Sequence, residues 1–301
     1  MSKSRKPIPV FVNPTAGRGT AGKTVPSLRS LLHANEIRHE IVLSQQRGDI
    51  ERQIKQAIDN GAEKVIVAGG DGSVHEAVNG VLTAENSAAL GVIPIGTGND
   101  FAKACTIPPH WEDATVLLAD RIRSEAPAHV IDVGQMNDRY FANGAGIGFD
   151  AKVTKIAEGI RLPIGDLVYL IAVFAGMWDG VRTPELRLDY GNESYSGQLT
   201  LASISNGDWV GGMFQIAPMA RNDDGMLDLV IAKPVSNWRV LGLLPRLIQG
   251  THIEQPEVVH QPIKHCEIVA TSPVPSHLDG EVQPLYSEFS IRILESHLRL
   301  L

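Results

Sequence analysis

The chain has 301 residues, of which 43% are hydrophobic and 20% are charged, a balance typical of a globular protein that excludes wholesale disorder. At about 150 residues per domain, this length predicts two domains with sizeable cores. The 27 basic and 34 acidic side chains give a formal net charge of −7. This charge argues against nucleic acid as the main partner, because a polyanion is bound by a concentrated basic surface.

The sequence predicts neither a secretory signal nor a transmembrane segment. The apolar stretch Ile8–Val12 is interrupted by a proline and is too short for a signal peptide. The longest apolar run, Leu167–Trp178, falls short of the roughly 18 residues that a bilayer span needs. The cysteines, Cys105 and Cys266, cannot form a disulfide scaffold, so we expect packing roles for them and a reducing, intracellular compartment.

Short apolar strands alternate with helices in the first part of the chain. The hydrophobic pattern predicts strands at 10–12, 40–43, 65–68 and 90–95, and helices ending near 33 and spanning 49–60 and 74–82. The helix at 49–60 is amphipathic, because Ile50, Ile54 and Ile58 fall on one face. This alternation predicts an α/β domain with a doubly wound parallel sheet.

The pattern changes after Pro127, and we place a domain boundary near residue 128. Alternating apolar residues at 186–190 and a Gly-Asn turn predict a hairpin whose return strand begins at Leu199. Further strands are predicted at 227–231, 267–270 and 289–293. The second part of the chain is therefore expected to be a mainly antiparallel β domain.

Three glycine-containing loops follow predicted parallel strands. They are the loops at 68–73 (Ala-Gly-Gly-Asp-Gly-Ser), 96–100 (Gly-Thr-Gly-Asn-Asp) and 13–19. Glycine lets the backbone approach a ligand closely, and amides at a helix N-terminus favour phosphate. A single loop of this kind could be only a tight strand-to-helix turn. Because open α/β sheets bind ligands at the carboxyl ends of their strands, the three loops together predict a phosphate site.

Residues 17–24 fit the Walker A pattern, which makes a true P-loop the alternative phosphate site. A P-loop should leave its strand almost directly, whereas four residues separate Val12 from Gly17. Pro26 falls where the following helix should start, and no plain apolar strand ends in a Walker B acid. We therefore expect Lys23 to lie past the loop, on the first helix.

Two acidic turns lie in the second part of the chain. Residues 222–225 (Asn-Asp-Asp-Gly) form either an ordinary turn before a strand or an oxygen-ligand Mg²⁺ site. Residues 277–281 (His-Leu-Asp-Gly-Glu) are either a solvated hairpin turn or a pair of functional acids, and their spacing does not decide between the two. Among the histidines, His75 is singled out because it opens the helix after the 68–73 loop.

The 69–73 motif with Glu76 and Asn79, followed by residues 94–102, resembles the diacylglycerol kinase catalytic domain. Soluble bacterial lipid kinases are the nearest group, and the resemblance extends from Asn13 to Glu281. The Gly-Gly-Asp-Gly sequence alone is shared with NAD kinases and phosphofructokinases. The Gly-Thr-Gly-Asn-Asp loop is the part that points to lipid kinases.

The resemblance implies a fold of the NAD kinase and diacylglycerol kinase type. An ATP-binding α/β domain, residues 1–127, would precede a β-rich lipid-substrate domain, residues 128–289. ATP would lie in the cleft between them, and residues 290–301 would return to the first domain. ATP as co-substrate and Mg²⁺ as cofactor are implied with this fold.

The resemblance also assigns roles to individual residues. Glu281 would accept the proton of the lipid hydroxyl, with Asp71 as the rival base. The family's Mg²⁺ site would map onto the Arg221 carbonyl, the Asp224 carboxylate and the Met226 carbonyl. The nucleotide would contact Asn13, Ser44, Gly69, Gly70, Asp71, Gly72, Ser73, Val74, His75 and Thr97. Ser44, Ser73 and His75 stand where the family usually has Thr, Thr and Asn, and all three keep hydrogen-bonding groups.

Together these observations predict an ATP-dependent kinase acting on a diacylglycerol-like or phosphatidylglycerol-like hydroxyl. The alternatives are a kinase of a soluble acceptor such as NAD, and a non-catalytic nucleotide-binding regulator. We expect a cytoplasmic protein that meets its lipid at the inner membrane surface, helped by Lys3, Arg5 and Lys6. The oligomeric state stays open, and a homodimer is compatible with the sequence.

The apolar run Leu167–Trp178, flanked by Asp166 and Asp179, has two interpretations. It is either a core helix, which we favour, or part of an acyl-chain pocket.

Overall fold

The structure is a computed structural model that describes residues 6–160, 165, 167–178 and 180–301. Lys3 and Arg5 of the expected membrane contact, and Asp166 and Asp179 beside the apolar run, lie outside these residues.

The chain divides into two units. The first comprises residues up to Ile131 together with His297–Leu301, and the second is Asp132–Ser296. The division falls a few residues later than the expected positions near 127 and 289, because it lies within strands at both places. Each unit is described by itself below.

The first unit alternates strands and helices, as its hydrophobic pattern predicts. The elements are β1 Ile8–Val12, α1 Ala16–Ala34, β2 His39–Leu43, α2 Asp49–Asp59, β3 Lys64–Gly69, α3 Asp71–Leu82, β4 Ala89–Pro94, α4 Asp100–Ala104 and α5 Trp111–Arg123. Helix α3 begins three residues earlier than predicted. His75 consequently lies in the second turn of the helix and does not open it.

The strands of the first unit form a parallel sheet in the order β2-β1-β3-β4. The chain end adds to β4, where Leu300 pairs with Leu90 in parallel. The predicted apolar face of α2, made by Ile50, Ile54 and Ile58, is buried. The Glu76 carboxylate of α3 accepts hydrogen bonds from the N–H groups at the start of α2, so this motif residue caps a neighbouring helix.

The second unit is rich in antiparallel strands. Its elements are β5 His129–Met136, β6 Arg139–Phe141, β7 Gly144–Gly148, α6 Phe149–Gly159, α7 Leu167–Trp178, β8 Glu185–Tyr190, β9 Glu193–Gln198, β10 Leu201–Ser205, β11 Trp209–Val210, β12 Phe214–Gln215, β13 Leu227–Ala232, α8 Asn237–Ile248, a 3₁₀ turn His252–Glu254, β14 Val258–Ile263, β15 His265–Val274, β16 Ser276–Leu278, β17 Glu281–Val282 and β18 Tyr286–Leu300.

Antiparallel sheets enclose the core of the second unit. One sheet has the order β14-β13-β10-β7-β16-β17, and the other contains β18-β15-β8-β9, with β5 also paired to β18. Their facing side chains form one apolar cluster that includes Phe141, Ile204, Leu229 and Phe289.

Cys266 belongs to this cluster. Burial, the largest cause, raises the pKa of its thiol to about 12, so Cys266 is an inert packing residue.

The predicted hairpin in the second unit is wrong in its return strand. Strand β8 pairs with β9, which lies before Leu199, whereas β10 pairs with β7 and β13 in the other sheet. The sequence of β9, Glu-Ser-Tyr-Ser-Gly-Gln, lacks the apolar alternation of a half-buried strand because β9 ends the order of its sheet. The hydrophobic pattern therefore predicted the next apolar segment along the chain, which is β10, as the partner of β8.

Helix α7 is buried on one side only. Val168, Ala172 and Val173 pack into the unit, while Leu167 and Trp178 are exposed. The favoured interpretation as a core helix therefore holds only for its buried side and fails for the side that carries Leu167 and Trp178. None of the helices in the described part of the chain combines the length and the apolarity that a bilayer-crossing segment requires.

Candidate active site

The strand order of the first unit places the predicted phosphate loops at one edge. The order reverses between β1 and β3, and ligands of open α/β sheets bind at the carboxyl ends of strands beside such a reversal. Asn13 follows β1 and Gly70 follows β3 there. Ser44 follows β2 and Thr97 follows β4, so the predicted nucleotide contacts after all these parallel strands share the same sheet edge.

The loops after β3 and β4 touch through their backbones. A Cβ atom on Gly70 would lie 3.0 Å from the Gly96 Cα, and a Cβ on Gly96 would overlap the Gly70 backbone. The Asn99 side chain closes the second loop, because its Oδ1 accepts from the Gly96 N–H at 2.9 Å. The two backbone segments pass so close to each other that neither Gly70 nor Gly96 leaves room for a side chain.

Asp71 ties the same two loops by a hydrogen bond. It lies in the first turn of α3, and its Oδ1 accepts the Phe101 N–H of α4 at 3.1 Å. The carboxylate therefore holds the 96–100 loop against the helix that begins after Gly70. This positioning role exists whether or not the carboxylate also takes part in chemistry.

The residues predicted to contact the nucleotide differ in how far their side chains are exposed. Ser73, Val74 and His75 have buried side chains, and the Val74 N–H already donates to the Gly70 carbonyl at 3.1 Å. Thr97 is exposed at the tip of its loop. The Asn13 Oδ1 accepts from both the N–H and the hydroxyl of Thr15, which shapes the turn after β1.

The segment that fits the Walker A pattern does not have the form of a P-loop. Helix α1 starts at Ala16, and Gly17, Arg18 and Gly19 then adopt left-handed conformations before it continues. Lys23 lies four residues past this kink, on the helix, and is exposed. The structure thus places Lys23 where the sequence argument expected it.

Glu281 of the second unit lies on a β-hairpin. Strands β16 and β17 pair so that Leu278 faces Glu281, and Asp279 and Gly280 form the turn with φ values of 50° and 83°. The Asp279 carboxylate accepts the N–H groups of Ala142, Asn143 and Gly144 at 2.8–3.1 Å. Asp279 is consequently a structural acid that fixes the turn, and Glu281 follows it, half-buried.

A buried histidine supports the same hairpin from the other side. The His277 Nε2 lies 3.0 Å from an Asp150 carboxylate oxygen at the start of α6, and Nδ1 accepts a long 3.3 Å hydrogen bond from the Gly280 N–H. Burial, the largest single cause, lowers the pKa of His277, but the Asp150 and Asp279 carboxylates together outweigh this effect, so the pKa lies above its ordinary value. The backbone before Glu281 is therefore held by charged and polar contacts.

The turn at 221–226 precedes β13, as predicted. The Asp224 Oδ1 accepts the Met226 N–H at 3.0 Å, and the Arg221 guanidinium is 3.3 Å from the Asp223 carboxylate. The buried Asp132 carboxylate accepts the Gly225 N–H at 2.7 Å. This turn is held at several points, and Asp224 is exposed.

Comparison with protein families matches both halves of the chain. The diacylglycerol kinase catalytic domain matches residues 7–159. The YegS C-terminal NAD kinase beta sandwich-like domain matches residues 144–301. The chain belongs to the diacylglycerol kinase catalytic-domain family.

Curated relatives of this family cover most of the chain. A diacylglycerol kinase of Bacillus subtilis (strain 168) is 29% identical over 273 residues, which are 90% of this chain and 88% of the relative. A diacylglycerol kinase of Staphylococcus haemolyticus (strain JCSC1435) is 27% identical over 92% of this chain and 82% of the relative. The family match and these relatives support kinase chemistry, which implies the use of ATP.

Solved structures from Bacillus anthracis strain Sterne share the fold. One, a crystal structure of a diacylglycerol kinase, aligns with a TM-score of 0.72 at 22% identity and covers 99% of this chain and 97% of that chain. Another has a TM-score of 0.79 at 24% identity, covering 99% and 98%. The fold class is thereby confirmed: a mainly parallel α/β part is followed by an antiparallel β part.

Sequence reasoning missed residues that support the site. Asp150 and Asn143 lie far from Glu281 in sequence and belong to no motif, yet both contact the strands or turn around it. The only available signal was the Asn-Gly pair at 143–144, which is typical of turns.

Gly70→Val is expected to weaken ATP binding by roughly a hundredfold or more, about 3 kcal/mol, because the side chain would separate the loops after β3 and β4. Isothermal calorimetry measures this, and a melting curve checks folding. Lys23→Ala is the matched control, since that exposed side chain should change ATP affinity and turnover only about twofold. A fall of about a thousandfold in kcat for Lys23→Ala would restore the P-loop interpretation.

Proposed function

We propose that this protein is an ATP-dependent lipid kinase that phosphorylates a hydroxyl of a diacylglycerol-like or phosphatidylglycerol-like lipid. The observation that carries the lipid acceptor is an apolar cavity in the second unit. The cavity has a volume of about 110 Å³. Its lining comes mainly from α6, α7, α8 and the nearby strands, including Phe149, Val173, Leu201, Phe214 and Leu244.

Few polar groups interrupt this lining, and one of them is a neutral histidine. Burial, the largest cause, lowers the pKa of His252, and its Nε2 donates to the Ile216 carbonyl at 3.0 Å. A cavity with this lining suits a segment of an acyl chain and does not suit the charged phosphates and ribose of NAD. The cavity therefore favours a lipid over the soluble acceptor.

The nucleotide is assigned to the first unit. Backbone amides at the start of α3 and the glycine loops of the sheet edge suit the phosphates of ATP. Asn13, Ser44, residues 69–75 and Thr97 are the proposed contacts. The buried side chains of Val74 and His75 restrict these two residues to backbone or packing roles.

Glu281 is the proposed general base. An alcohol is a weak nucleophile, and a positioned carboxylate that takes its proton contributes about 10²–10⁴-fold. The hairpin that carries Glu281 is fixed by Asp279 and His277, so the carboxylate is held on a rigid support. Asp71 is the rival base, although one of its oxygens already accepts the Phe101 N–H.

Mg²⁺ fits the donor chemistry of the 221–226 turn. The Asp224 carboxylate and the carbonyls of Arg221 and Met226 are hard oxygen donors, which this ion prefers. Among the described residues, no cluster of His, Cys, Asp and Glu side chains offers a richer ligand set. When bound, Mg²⁺ would supply positive charge that stabilises this turn, and Mg²⁺ bound to ATP would offset charge on the transferred phosphoryl group.

Phosphorylation should be seen with diacylglycerol or phosphatidylglycerol in mixed micelles and labelled ATP, and not with NAD. Leu243→Trp, which fills the cavity, should lower activity on long-chain lipid about tenfold or more, and activity on short-chain lipid less. Ile248→Trp is the control on the same helix, because Ile248 is exposed and outside the lining. Transfer to NAD, or ATP binding without any transfer, would favour the respective alternative.

Glu281→Gln keeps the shape of the side chain but removes its basicity. We expect kcat to fall by about 10²–10⁴-fold while calorimetry finds normal ATP affinity. Asp71→Asn should instead weaken ATP binding as well, because it loosens the two loops that Asp71 joins. Near-normal turnover of a folded Glu281→Gln enzyme would leave Asp71 as the base.

Asp224→Ala should lower the melting temperature and abolish its increase with Mg²⁺, since a ligand that binds only the folded state stabilises it by mass action. Asp223→Ala is the control, because Asp223 pairs with the Arg221 side chain and is not a proposed ligand. An unchanged Mg²⁺ response in the Asp224 variant would identify the segment as an ordinary turn.

A further inference from the structure

Helix α7 presents an apolar stripe to the surroundings. Leu167, Ile171, Phe174 and Trp178 follow each other at intervals of four, three and four residues, which places them on one helix face. The first three are 40–50% exposed and Trp178 is 96% exposed. The 12 residues of α7 include no charged side chain. An exposed helix face of this composition is unusual for a surface that meets only water.

Helix α8 extends the stripe with a second exposed tryptophan. Trp238 is 84% exposed, and the neighbouring Asn237 side chain donates to the Met177 carbonyl at 3.2 Å. Trp178 follows Met177 and Trp238 follows Asn237, so each exposed tryptophan is next in sequence to one residue of this hydrogen bond. We define the docking surface as Leu167, Ile171, Phe174, Trp178 and Trp238.

Helix α8 supplies positive charge beside the docking surface, whereas Asp166 and Asp179 flank α7 in the sequence. Helix α8 carries Arg239 and Arg246, both exposed, and neither α7 nor α8 contains an acidic residue. Arg239 also pairs with Glu257, so the local positive charge is modest. Arginine next to exposed tryptophan and leucine on a short helix is typical of segments that lie in the headgroup region of a bilayer.

Other residues of the same two helices line the apolar cavity of the second unit. Tyr169 and Val173 of α7, and Val240, Leu243 and Leu244 of α8, face the cavity and do not belong to the docking surface. A lipid that enters this cavity must come from a bilayer. The stripe is therefore continuous with the elements that would receive the lipid.

We propose that the docking surface inserts into the headgroup region of a lipid bilayer and holds the cavity at the membrane. This inference rests on the proposed lipid-kinase function and names the surface by which the enzyme meets its substrate. Tryptophan suits the boundary between water and hydrocarbon, because its ring is apolar and its indole N–H is polar. The arginines of α8 would contact anionic headgroups, while the net charge of −7 limits purely electrostatic binding of the whole chain to an anionic surface.

The test measures binding of the full chain to vesicles made of phosphatidylcholine and phosphatidylglycerol in equal parts, without ATP. Trp178→Ala and Trp238→Ala should each weaken binding about tenfold, and the double variant more strongly, because each change removes a large apolar side chain from the interface. Trp178→Phe should bind within about threefold of the original chain. Vesicles of phosphatidylcholine alone should bind more weakly, and high salt should remove only this difference.

Leu117→Ala is the matched control. Leu117 is a 44% exposed apolar residue of α5 in the first unit, so its loss should leave vesicle binding unchanged. Tryptophan fluorescence provides a separate readout, because insertion should shift the emission to shorter wavelength. This shift should disappear in the double variant, although Trp111 and Trp209 remain.

Unchanged vesicle binding by the folded double variant would overturn the proposal. A double variant that turns a dimer into a monomer in sedimentation velocity, with vesicle binding intact, would show that a second copy covers the stripe and would also overturn it.

Kinase assays separate this inference from the proposed function. The double variant should lose activity on lipid in vesicles but keep it on a short-chain lipid dissolved below its micelle concentration. Vesicle binding by an enzyme that phosphorylates no lipid would refute the proposed function and leave the docking surface in place.

Discussion

The close approach of the backbones at Gly70 and Gly96 is the constraint on which the proposed nucleotide site depends. The strands before these residues are neighbours in a parallel sheet, so their following loops leave the same edge and must pass each other. The Asp71 hydrogen bond to the Phe101 N–H fixes the loops in this contact. Backbone N–H groups can then converge on an anion in a way that loops separated by side chains could not.

In the second unit a half-buried carboxylate has a comparable role. Asp279 accepts hydrogen bonds from three consecutive backbone N–H groups at the start of β7, and this contact sets the hairpin that carries Glu281. A charge-assisted network of this kind is costly to break, because each buried N–H would lose its partner. The half-buried Glu281, the proposed base, is therefore supported by residues that are not themselves proposed to take part in the chemistry.

Helices α7 and α8 combine two apolar roles that a fully buried helix could not have. One side of α7 lines the cavity and the other carries exposed Phe174 and Trp178. A helix that is apolar all round gives no periodic signal, so its sequence is equally compatible with a core helix and with a membrane-facing one. The exposed fractions of the side chains show that one face of α7 is not part of the core.

The sequence by itself determined the alternation of strands and helices in the first unit, the loops at 68–73 and 96–100, and the family. These features are local, because glycines, short apolar runs and helix periods are written within a few residues of each other. Only the tertiary structure decided that β9 is the partner of β8, that His277 contacts Asp150, and that Glu76 caps α2. Each of these contacts joins residues whose local sequence carries no mark of its partner. A polar edge strand lacks hydrophobic alternation, and the partner of a buried charge is set by how distant segments pack.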